Sequence, residues 1–75
     1  MNKQRRIRLK EANSYLDRAM QIVSSVKDEE QDSLDNLPEN LQGSERCTIM
    51  EDAIDALEDA IGNIEQASES INNAL

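Results

Sequence analysis

The sequence predicts an all-α protein: a long antiparallel helical hairpin with a short connector helix, dimerising into a four-helix bundle. Three observations predict it. A seven-residue apolar repeat fills the last third of the chain, the same spacing recurs in the first third, and the composition suits helix-on-helix packing alone. The repeat reads Met50-Glu-Asp-Ala-Ile-Asp-Ala, Leu57-Glu-Asp-Ala-Ile-Gly-Asn, Ile64-Glu-Gln-Ala-Ser-Glu-Ser and Ile71-Asn-Asn-Ala-Leu75. With its first residue as position a, Met50, Leu57, Ile64 and Ile71 fall at a, alanines 53, 60, 67 and 74 at d, and Ile54 and Ile61 at e. A seven-residue repeat winds an apolar stripe along one helix face, and that stripe needs a partner.

Size and composition make that partner necessary. The chain has 75 residues, one cysteine, no histidine and one aromatic residue, Tyr15. It is long enough for one small domain, and no disulfide or metal staple is available to it. Its core must come from Leu, Ile, Val, Met and Ala, and a homodimer is the expected route to stability. No cofactor is expected. No apolar run approaches the roughly 18 residues of a membrane span. The basic opening lacks the apolar region of a signal peptide, so a cytoplasmic location is expected.

The first helix is read over about 4–27. Leu9, Leu16 and Val23 take position a, Ala12, Ala19 and Val26 take d, Met20 takes e, and Tyr15 and Ile22 take g; the spacing 9, 12, 16, 19, 23, 26 alternates threes and fours. The connector is read over 28–48, and a structureless link of that length is uncommon in so small a domain. Leu34, Leu37 and Leu41 share a helical face, and Pro38 suits the first turn of a short helix. The first helix has a second reading, in which it runs on through Asp28–Asp32 and breaks near Pro38. The last helix is read over about 49–75, capped by Thr48 with Glu51 in a capping box or, earlier, by Ser44. The expected hairpin or dimer core is Leu9, Leu16, Ala19, Val23, Val26, Met50, Ile54, Leu57, Ile61, Ile64 and Ile71. The whole of 1–75 forms a single helical domain.

Charge is divided along the chain. Residues 1–27 carry seven basic against two acidic side chains, +5, and residues 28–75 carry one against fourteen, −13. Basic residues at the positive end of the first helix are unfavourable unless acids lie nearby. An antiparallel partner would bring Glu65, Glu69 and the terminal carboxylate toward them.

No residue pattern here carries catalysis: there is no nucleophile–base pair, no phosphate loop and no calcium loop, and Cys47 has no histidine beside it. The chain reads as a non-enzyme. Candidate partner-binding residues are the carboxylates at b, c and f, namely Glu51, Asp52, Asp55, Glu58 and Asp59, which present negative charge in rows. To these the non-repetitive connector adds Asn36, Glu39, Asn40, Glu45 and Arg46. The basic opening, Lys3 to Lys10, has no aromatic interleaving and belongs to no nucleic-acid-binding module, so nucleic acid is disfavoured as a partner.

Asp28-Glu-Glu-Gln31, then Asp35-Asn-Leu-Pro-Glu-Asn-Leu-Gln-Gly-Ser-Glu-Arg46, then Met50-Glu-Asp-Ala-Ile-Asp-Ala-Leu-Glu-Asp-Ala-Ile61 resembles a group of small acidic proteins of bacteriophage and prophage genomes. The resemblance covers roughly residues 28–65. Such relatives commonly carry a small residue where this chain has Cys47. The resemblance implies an accessory role in a host bacterium, and no functional residues come with it. The expectation is therefore a factor that binds and inhibits a bacterial host or defence protein, such as a defence nuclease, through its acidic face and connector. Its alternatives are a structural or assembly coiled-coil module and, third, nucleic-acid contact through the basic opening.

Overall fold

A computed structural model describes residues 1–75 as two long helices joined by a tight turn, with no strand. Helix α1 spans Lys3–Asp35, a 3-10 turn spans Glu39–Leu41, and helix α2 spans Glu45–Ala74. At 1.5 Å per residue α1 is about 50 Å long and α2 about 45 Å. The two pack against each other along their length in an elongated body of 60 × 14 × 11 Å.

Helix α1 follows its longer reading and ends eight residues beyond 27. Asp28 to Asp35 contain no glycine or proline, and Leu34 supplies a further apolar contact at the turn. That contact outweighs the modest cost of carboxylates near a helix C-terminus. Asn2 starts the helix, its side-chain oxygen accepting from Arg5 N at 2.8 Å. Asn36 stops it: its backbone and side-chain nitrogens both donate to the Asp32 carbonyl. Leu37 precedes Pro38 and is thereby excluded from helical backbone.

The connector is consequently shorter than 28–48, covering residues 36–44. Leu41 N donates to the Pro38 carbonyl at 2.8 Å, closing the 3-10 turn. Gln42 (φ −67°, ψ 132°) and Gly43 (φ 78°) then form a type II turn, with Ser44 N donating to the Leu41 carbonyl at 3.1 Å. Ser44, the earlier of the two candidate caps, begins α2: its hydroxyl oxygen accepts from Cys47 N at 3.3 Å. Thr48 lies inside the helix, its hydroxyl turned back to the Ser44 carbonyl.

Burial concentrates at this end. Leu37, Cys47 and Met50 form a buried cluster with Leu34 and Leu41 packed against it, and Ile54 is buried one turn further along α2. Away from the turn the seam is only half-buried. It follows positions a and e rather than a and d. In α1 it runs through Leu9, Asn13, Leu16, Met20, Val23, Lys27, Glu30 and Leu34, and in α2 through Cys47, Met50, Ile54, Leu57, Ile61, Ile64, Ser68 and Ile71. Val26, expected in the core, is 45% exposed because its d position flanks this seam. Ala19, the d residue one heptad earlier, is half-buried.

Candidate functional site

Two helices paired through a and e leave two broad faces, and these differ in chemistry. On an antiparallel pair the b and f positions of both helices fall on one side and the d and g positions on the other. Contacts fix that assignment. The b side carries the cross-helix bonds: Asn13 Nδ2 donates to Asn72 Oδ1 at 2.8 Å, and Lys27 Nζ lies 3.6 Å from Glu58 Oε1. On the opposite side Ser33 of α1 lines one groove together with Arg46 and Ile49 of α2, all at d or g.

The acidic candidates lie on the first side and on the outer surface of α2. Glu51, Asp52, Asp55, Glu58 and Asp59 are all exposed. Glu58 is held loosely by Lys27 in the one ion pair of the fold, and Glu51 accepts from the Cys47 thiol at 3.1 Å. The helix repeat thus keeps these carboxylates exposed along the b, c and f positions of α2. Asn36, Glu39, Asn40, Glu45 and Arg46 are exposed at the turn end, within the connector and the first helical turn of α2. They form a separate group from the rows. No cluster of three or more His, Cys, Asp or Glu side chains is arranged to hold a metal.

The second side is open, apolar through the middle of α1 and charged toward both ends. Its α1 half carries Tyr15, Ile22 and Val26, which are 68%, 50% and 45% exposed, and its α2 half carries Ile49 at 61%. Between them lie Ala12 and Ala19 on α1 and Ala53, Ala56, Ala60 and Ala67 on α2. No acidic residue of α2 occupies d or g, so the carboxylate arc and the alanine arc of this helix are distinct. The heptad placed Tyr15 and Ile22 at g, yet a seam counted through a and d hides the consequence. Only the pairing through a and e shows that d and g form a second apolar stripe.

The basic opening of α1 finds no acid within the hairpin. In both cross-helix pairs the residue numbers add to 85, so residues before about 10 lie beyond Leu75, the end of α2. Arg5, Arg6 and Arg8 overhang α2 and make no ion pair, contrary to the proximity expected from Glu65, Glu69 and the terminal carboxylate. Neither helix is long and apolar enough to cross a membrane. No protein-family model, curated protein or solved structure matches the chain.

Proposed function

We propose that this chain is a non-enzymatic protein-binding factor, a homodimeric four-helix bundle that presents the carboxylates of α2 to a basic partner. The observation that carries this reading is the separation of two arcs on α2: alanines at d with uncharged residues at g, and exposed carboxylates at b, c and f. One helix can then be covered on its small-residue side by self-association while its acidic side stays available. With only four buried residues, the hairpin holds too little apolar core to be stable alone, which favours the dimer.

The partner is a protein with a cationic surface. The resemblance of residues 28–65 to small phage proteins makes it a host or defence protein of a bacterium, and a nuclease groove shaped for phosphates is the kind of surface that rows of carboxylates fit. Complementary charge gives such an encounter its speed and much of its selectivity, and makes it sensitive to salt.

Affinity capture from the native host with mass-spectrometric identification tests the reading. One bound protein in stoichiometric amount is expected. Changing Glu51, Asp52, Glu58 and Asp59 together to Gln or Asn should abolish its capture while circular dichroism stays helical. Capture that survives this change would overturn the role of the acidic face. An assembly module would instead form mixed oligomers and keep forming them after this change.

A further inference from the structure

The open d and g face has the chemistry of an interface, and the charges around it specify how a second copy lies on it. We infer that a second copy of this chain packs on the Tyr15, Ile22 and Val26 face in antiparallel orientation, its turn against the first copy's termini. This rests on the homodimer proposed above and adds the face and the orientation to it.

Surface area is the first argument. The hairpin exposes 5610 Å². A compact monomer of its 8.5 kDa would expose roughly 4,700 Å². The excess of roughly 900 Å² is close to the about 800 Å² that each partner contributes to a standard interface. The open face matches it in extent, since the hairpin is 60 Å long and 14 Å across. It also has suitable side chains: three large apolar residues on α1, and small ones on α2 that let two backbones approach closely.

Charge is the second argument, and it selects the orientation. Residues 1–18 with 66–75 carry six basic against three acidic side chains, +3 at the termini end. Residues 28–46 carry one basic against seven acidic, −6 at the turn end. Turn against turn places −6 beside −6. Turn against termini places each −6 beside +3. Arg5 and Arg8 lie at d and g of the overhanging segment, on the same stripe as Tyr15 and Ile22. In the antiparallel dimer they reach the acidic turn end of the partner, level with its Asp35 and Glu39. A two-fold axis across the middle of the hairpin then sets Ile22 against its own copy, and α1 of one chain upon α1 of the other.

A single spin label distinguishes the arrangements. With Gln42→Cys labelled in a Cys47→Ala background, pulsed electron paramagnetic resonance should give a distance near the 60 Å length of the hairpin. Light scattering on the same sample should give a dimer. A dimer with a short label-to-label distance would overturn the orientation and leave the four-helix bundle standing. A monomer would overturn both. Charge reversal in the otherwise unaltered chain gives a second measurement that does not rely on replacing Cys47. Arg5→Glu with Arg8→Glu should weaken the dimer about tenfold at low salt. A dimer that is unaffected or tightened by the reversal would contradict the antiparallel orientation.

Discussion

Asn13 and Asn72 stand 59 positions apart in the chain and meet side chain to side chain, Nδ2 to Oδ1, at 2.8 Å. The Lys27–Glu58 pair repeats this relationship fourteen residues along each helix, two full heptads away. Both pairs join an e position of α1 to a b position of α2, so the helices keep one register across the middle of the hairpin. Apolar side chains at a and e tolerate sliding, whereas a polar pair at the seam edge makes its bond in one alignment only, here through Asn13 Nδ2 while Asn13 Oδ1 is buried without a partner. The Asn pair is therefore a register pin, and the position of the basic overhang depends on it.

Removing one member of that pin should cost stability. Asn72→Ala leaves the half-buried amide of Asn13 without its partner, and a loss of about 1 kcal/mol is expected in urea unfolding. Replacing both asparagines by leucine should recover most of that loss, since two apolar groups leave nothing unsatisfied. If Asn72→Ala proves neutral, the pair does not fix the register.

The start of α2 gives a contrast between neighbouring hydroxyls. Ser44 caps the helix through Cys47 N, and Ser44→Ala should cost about 1 kcal/mol. Thr48→Ala removes only a bond back to the carbonyl of Ser44 and should change stability by less than about 0.5 kcal/mol. Thermal melts of the two variants side by side check this, and equal losses would place the cap elsewhere.

The two glycines should respond in opposite directions to alanine. Gly43 holds φ at 78° in the type II turn, where a side chain is strained, and Gly43→Ala should destabilise by about 1 kcal/mol. Gly62 sits mid-helix at f with open space where a Cβ would project. Gly62→Ala should stabilise by about 1 kcal/mol through helix propensity alone. Denaturant midpoints decide both.

The sequence carried the two helices and their antiparallel pairing in plain view, because the threes and fours of 9 to 26 and the heptads from Met50 have no other periodic reading. It carried the extent of α1 less clearly. Asp28 to Asp35 look like a solvated, dipole-opposed stretch until Leu34 is seen packing beside Leu37, Cys47 and Met50. The choice of seam was the hidden part. Alanine at d in both helices suggested close pairing there, yet Met20, Leu34, Cys47, Ile54 and Ile61 at e bury more apolar surface, and burial scales with area. The helices turn toward that larger gain and leave d and g outward. Positions of the acidic residues followed from the repeat, whereas the missing counterpart of Arg5 and Arg8 required the register that Asn13 and Asn72 set.

Ile22 and Ile7 provide a matched pair, exposed by 50% and 51% in the hairpin. By single-chain burial an aspartate at either site should cost the same. Ile22 lies at g, within the open apolar face, and Ile7 lies at f, outside it. Ile22→Asp should therefore dissociate the dimer and lower a concentration-dependent melting temperature, and Ile7→Asp should weaken association only slightly, through the one positive charge it offsets in the overhang. Equal effects would remove the distinction between the faces.

Self-association of the unaltered chain tests the central claim most directly. Sedimentation equilibrium across low to high micromolar concentration should return twice the 8.5 kDa chain mass. A constant mass of 8.5 kDa over the same range would contradict the account, because the Tyr15, Ile22 and Val26 face would then stand open to water in the functional protein.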